Sequence, residues 1–182
     1  IRDAQESRGL GDVYKRQTLD EARYFDVIER KTGVLFEAAA RMASVVAGAS
    51  KEVEDKMAEY ALCLGRAFQI IDDVLDYTGT KVNIGKNLGT DLREGKMTMP
   101  LIYALRHCSE EDAKIIRTAV SSNDPDLESV TRVILASGAI DACIEAGKKE
   151  VSRGIDALNC LPTSAFKNSL IELLSLTVER DR

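Results

Sequence analysis

The most constraining feature of this chain lies between Lys51 and Tyr77. Val53, Met57, Tyr60, Ala61, Leu64, Phe68, Ile71 and Leu75 recur at spacings of three and four, which aligns them on one face of a helix with 3.6 residues per turn. No proline interrupts the run, and Ser50 stands just before it as a cap. The pattern predicts a helix from about Lys51 to Tyr77, roughly twice the usual length in globular proteins. Composition points the same way. Aromatic residues make up 5 %, with three prolines and no tryptophan, a poor supply for sheets, where aromatic and β-branched residues concentrate. The expected class is all-α.

Flanking patterns extend that reading. Leu19, Ala22, Phe25, Val27 and Ile28 begin a first stripe, with Thr18 or Asp20 as its cap, and Gly33 loosens the helix just after Lys31 and Thr32. The stretch from Leu35 to Ala49 is rich in alanine, and small side chains let helices approach closely, so it reads as a central, tightly packed helix. Residues 78–99 form the only long polar loop, punctuated by Gly79, Gly85, Gly89 and Gly95; loops of such length usually carry function. Helical patterns resume near Pro100 and continue through several short to medium helices, with Asp124-Pro125 and Leu161-Pro162 suited to helix starts. Ala165 to Val178 is amphipathic. Residues 1–17 differ: Gly9 and Gly11 break any helix and no apolar stripe persists. They read as a poorly ordered tail or foreign sequence joined near Thr18.

Several function classes fall away on simple grounds. The formal net charge of −5 argues against a general nucleic-acid binder, which presents a basic face. Cys63, Cys108, Cys143 and Cys160 lie far apart, and His107 is the single histidine, so neither a thiolate zinc site nor a disulfide framework is expected. Free thiols suit a reducing compartment, hence the cytoplasm, or a mitochondrion or plastid if the source is eukaryotic. No apolar run approaches the roughly 18 residues of a membrane-spanning helix.

The chemistry concentrates around Asp72, Asp73 and Asp76, which form DDVLD near the end of the long helix. Positions i, i+1 and i+4 put three carboxylates on one patch, where mutual repulsion is costly unless something positive is present. Hard oxygen ligands in an open cluster suit magnesium, which keeps some waters and bridges to substrate phosphates. DDxxD alone is short, and taken by itself a solvated acidic helix end explains it better. Its neighbours sharpen it. Gln69 lies one turn earlier on the same side, while Lys81, Lys86 and Lys96 follow on the glycine-rich loop, with Asp91 and Arg93 between them. Acids on a helix beside lysines on a loop make a site for a metal-bound polyanion. Lys31-Thr32 adds another ammonium and a hydroxyl at a helix irregularity.

At this point RAFQIIDDVLDYTG, followed by IGKNLGTDLREGKMTMPLIYAL, resembles the second aspartate-rich region of the trans-type polyprenyl diphosphate synthases. KTGVLFEAAA resembles that family's KT segment, and SLTVERDR the C-terminus of its long-chain members, octaprenyl diphosphate synthases especially. The resemblance runs from Thr18 to Arg182. It implies an isoprenoid-synthase-type helical bundle, present as its C-terminal half. It implies that Asp72, Asp73 and Asp76 bind Mg2+ gripping an allylic prenyl diphosphate, that Lys31, Lys86 and Lys96 contact that diphosphate, and that Thr32 and Gln69 lie near the reacting carbons. The implied reaction ionises the allylic diphosphate, lets the double bond of isopentenyl diphosphate attack the cation, and loses a proton. A homodimer for the full-length form and at most a loose membrane association also follow from it.

The departures carry equal weight. A first DDxxD, a GGKRxRP-like segment and a GExxQL-like segment, all expected of the family, are absent; Glu6 to Gln17 reads ESRGLGDVYKRQ instead. The isolated chain is therefore expected to be inactive or nearly so, with apolar faces from Leu35 to Leu75 uncovered. Two competing readings are a non-catalytic partner subunit of a heteromeric synthase and a terpene cyclase. The intact Lys31, Thr32, Gln69, Asp72, Asp73, Lys86 and Lys96 count against the first. The GK and EGK lysines count against the second.

Overall fold

The computed structural model describes residues 20–79 and 88–180. The expectations placed on residues 1–17, on Thr18, and on Lys81 and Lys86 lie outside the described residues. Among those described there is no strand, so the expected all-α class holds.

Local chemistry accounts for where the helices start. Helix α1 spans Glu21–Ile28, and Asp20 caps it by accepting the Arg23 N–H at 2.9 Å. The irregularity expected at Gly33 is a π turn over Glu29–Gly33, in which the Val34 N–H donates to the Glu29 carbonyl five residues back. Helix α2 follows as Val34–Val46. Helix α3 runs over Lys51–Thr78, one residue beyond the predicted end, with the Val53 N–H on Ser50 Oγ at 3.3 Å. A single turn, α4, covers Thr90–Arg93. Helix α5, Met99–His107, has Pro100 in its first turn, where a missing N–H costs nothing. Helices α6 (Glu110–Ser121), α7 (Leu127–Ala136) and α9 (Ala165–Glu179) are capped by Ser109, Asp126 and Ser164. Between the last two, α8 runs over Ala139–Ala157 and ends in a 3-10 turn, Leu158–Cys160.

The chain divides into two compact units. The first holds the start of α1, up to Tyr24, and Asp73–Ile140. Its core gathers Tyr77, Leu92, Leu101, Ile116, Val130 and Ile134 from α3 to α7. Here α5, α6 and α7 pack on one another and α4 packs on α6. The second holds Phe25–Asp72 and Asp141–Arg182. Its core sets Tyr60, Ala61 and Leu64 of α3 against Ala157, Leu158 and Leu174, with Phe36 and Ala40 of α2 at the edge.

Two expectations are corrected here. The alanine-rich helix is not tightly packed: along α2 only Ser44 is buried, while Leu35 is 74 % and Val46 88 % exposed, with Val34, Met42 and Val45 also exposed. Alanine content permits close packing but does not supply a partner for the larger apolar side chains. Conversely, the uncovered surface expected as far as Leu75 is largely confined to α2, because α3 buries one face from Ala58 onward, with Ala67 and Ile70 fully buried. The four cysteines are free, but burial of all four, the expectation for structural thiols, holds only for Cys63 and Cys143; Cys108 and Cys160 are half-buried.

Candidate functional site

In the unit of Phe25–Asp72 and Asp141–Arg182, the KT segment meets α3 closely. A Cβ built on Gly65 would stand 3.1 Å from Gly33 Cα, and one on Gly33 would come within 2.8 Å of Leu62 Cδ1. The backbone-to-backbone approach is tightest at Gly65, where a side chain would crowd Gly33 Cα, whereas at Gly33 the obstacle is the end of the flexible Leu62 side chain. That approach brings Thr32 Oγ1 to 3.2 Å from Gln69 Oε1, donating to it across 37 residues of sequence. Gln69 is buried and Thr32 half-buried, while Lys31 is exposed and Asp72 half-buried. The structure thus brings together Thr32 and Gln69, the two residues for which the resemblance implies a place near the reacting carbons.

In the unit that begins at Asp73, the acids already have protein donors. Asp73 is only 3 % exposed, and its Oδ2 accepts the Tyr24 hydroxyl at 2.7 Å. Asp76 accepts backbone N–H groups through both oxygens, from Thr90 at 3.2 Å and Asp91 at 3.0 Å. It thereby caps α4 from 14 residues away. The reason lies at Gly89, which occupies the N-cap position with φ of 70° and no side chain of its own to cap with. A Cβ there would meet Leu127 Cδ1 at 2.4 Å. Asp76 supplies the missing carboxylate to the exposed N–H groups.

The repulsion expected within DDVLD is therefore met at Asp73 and Asp76 by a phenol and by backbone N–H groups, without the need for a cation. Among the described residues no three His, Cys, Asp or Glu side chains converge as a metal-binding group. Magnesium does not require such a cage: it takes one or two carboxylates and completes its shell with water and phosphate oxygens. Adjacent Asp72 and Asp73 offer hard carboxylate donors of the right kind, so the residues present fit that ion.

Lys96 is held locally. Its Nζ lies 2.8 Å from Asp91 Oδ1 and 2.5 Å from Glu94 Oε2. Burial works against its charge, but the hydrogen bonds to Asp91 and Glu94 outweigh it and raise the ammonium pKa. Sequence reasoning noted Asp91 but assigned it no part; its spacing of five from Lys96, across a glycine, was the available signal. It missed Tyr24 and the Asp76 cap altogether, since nothing local marks either pairing.

With this geometry in place, the relationships are informative. Residues 6–136 match the polyprenyl synthetase family. The chain is 40 % identical over 166 residues to the octaprenyl diphosphate synthase of Escherichia coli, covering 90 % of this chain and 51 % of that protein. It is 39 % identical over 163 residues to the Haemophilus influenzae octaprenyl diphosphate synthase, covering 88 % and 50 %. It is also similar to a solved polyprenyl synthase from Caulobacter crescentus complexed with calcium and isoprenyl diphosphate. That likeness has a TM-score of 0.87 at 33 % identity, over 97 % of this chain and 57 % of the other. The chain spans about half the length of the curated relatives it matches. Through the matched stretch, which takes in the π turn and all of DDVLD, the chain belongs to the polyprenyl synthetase family.

Proposed function

We propose that this chain forms part of a prenyl chain-elongating active site, in a synthase that condenses an allylic prenyl diphosphate with isopentenyl diphosphate into a longer trans-polyprenyl diphosphate. The observation that carries the reading is the Thr32–Gln69 hydrogen bond. It joins the KT segment to the FQxxDDxxD helix, two motifs with no local reason to meet.

Asp72, Asp73 and Asp76 would hold magnesium, and Lys31, Lys86 and Lys96 would bind the diphosphate oxygens. Magnesium, when bound, makes the diphosphate a better leaving group. As the allylic C–O bond breaks, its electron pair leaves with the diphosphate. The Thr32 and Gln69 oxygens then present preorganised dipoles to the allylic cation. The isopentenyl double bond supplies the electrons of the new C–C bond, and a proton is lost to restore the alkene. Lys96 reaches a phosphate oxygen by giving up Glu94, the more exposed of its two partners. The same reading carries a homodimeric full-length form in the cytoplasm, with at most loose membrane association and no nucleic-acid partner.

The test is calorimetric titration of farnesyl diphosphate into the whole chain, with and without magnesium. Binding is expected only with magnesium, and Asp72→Ala is expected to weaken it by about tenfold or more. Binding indifferent to both magnesium and Asp72→Ala would overturn the reading. Without the first DDxxD and the GGKRxRP-like segment, the chain alone should show no condensation above background.

A further inference from the structure

Arg66 lies on α3 three residues before Gln69 and belongs to none of the residues assigned above. Its side chain is 16 % exposed. One terminal nitrogen donates to Glu29 Oε1 and the other to Glu150 Oε2 at 3.3 Å. The guanidinium also lies 5.7 Å from the centre of the Phe25 ring. Glu150 is held in turn by Arg153, at 2.8 and 3.1 Å. These partners stand 37 and 84 residues away in sequence, and all of them fall in one compact unit.

Glu29 is the first residue of the π turn, and its carbonyl accepts the bond that makes the turn π rather than α. Stability alone gives little reason for such a network. Buried ion pairs roughly break even against apolar residues of similar size, and Arg66 Nε is buried without an acceptor. What the guanidinium fork supplies is register. One extra residue in a turn changes the phase of the helix across it by about 100°, so Lys31 and Thr32, which lie within the turn, keep their directions only while the extra residue is held in place. Arg66 grips the turn at Glu29, and Gly65 receives it at Gly33.

From this we infer that Arg66 is a positioning residue which, together with Gly65, holds the Glu29–Gly33 π turn in the register that brings Thr32 to Gln69 and leaves Lys31 exposed. The consequence for ligand binding rests on the proposed diphosphate reading; the conformational claim does not.

The test uses the whole chain in two variants. R66K keeps the charge but cannot fork to both glutamates. R66M/E29Q/E150Q removes the fork without leaving carboxylates unpaired. The first measurement is amide hydrogen exchange. In the triple variant, exchange should quicken by about tenfold at residues 29–34 while the Ala58–Gln69 amides of α3 keep their protection, with an intermediate effect in R66K. Unchanged exchange at 29–34, or a uniform rise across the unit, would overturn the inference, since a merely structural role predicts the latter. The second measurement is the magnesium-dependent affinity for inorganic diphosphate. The triple variant should lose affinity by the same factor as Lys31→Ala, and combining the two should lose no more than either alone; full additivity would overturn the inference. If the unsubstituted chain binds no diphosphate, the functional reading fails, and hydrogen exchange alone decides the positioning claim.

Discussion

Arg66 and Lys96 are each held by a pair of carboxylates, but by different means. Arg66 is 16 % exposed and its partners, Glu29 and Glu150, arrive from distant parts of the chain. Lys96 is 41 % exposed and its partners, Asp91 and Glu94, stand five and two residues away. The first arrangement exists only once helices have packed. The second is available to a short segment with the turn at Gly95, where φ is 69°. A cation held by tertiary partners can carry the geometry of another segment. One held by its sequence neighbours can let go of them with little consequence for the rest of the fold.

This contrast can be broken at three points. Arg66→Met should have the largest effect, a loss of about 2 kcal/mol in denaturant unfolding, because it leaves the half-buried Glu29 without its cation and the nearly buried Glu150 with Arg153 alone. A loss no greater than that of a surface substitution would remove the distinction between the two cations. Asp76→Ala should cost about 1 kcal/mol, the usual worth of a helix cap. Asp76→Asn should recover much of it, because an amide oxygen still accepts from Thr90 or Asp91; equal losses in the two variants would refute the capping role. Lys96→Ala should be smallest, at or below about 0.5 kcal/mol, as expected for a half-exposed ion pair. The raised ammonium pKa sets the sign of its pH dependence: the contribution is complete below the ordinary lysine value of 10.5 and fades as pH rises through the folded-state value. A Lys96→Ala deficit that grew at alkaline pH would contradict that pairing.

Much of the helical framework was legible because its causes are local. The stripe from Val53 to Leu75 and the cap at Ser50 placed α3 to within a residue, since periodicity and capping act over three or four positions. Asp20 was legible as the cap of α1 for the same reason. The alanine-rich helix was misjudged because burial belongs to whatever packs on a helix, not to the helix itself. In the candidate site, spacing singled out the DDVLD acids, and the family resemblance added roles for Thr32 and Gln69, which the structure brings together. The donors that hold Asp73 and Asp76 were not legible, because Tyr24 is 49 residues from the first and Thr90 is 14 from the second.

By itself the sequence determined the all-α class, the limits of the long helix α3, and the inventory of carboxylates, ammonium groups and amides around DDVLD. These depend on interactions spanning about one helical turn. Tertiary structure alone decided that the KT segment is a π turn seated on paired glycines, that Asp76 caps a helix whose own N-cap is glycine, and that Arg66 joins two distant glutamates. Each of these is a contact between groups far apart in the chain, and no local preference favours it until packing has met the entropic cost of bringing them together.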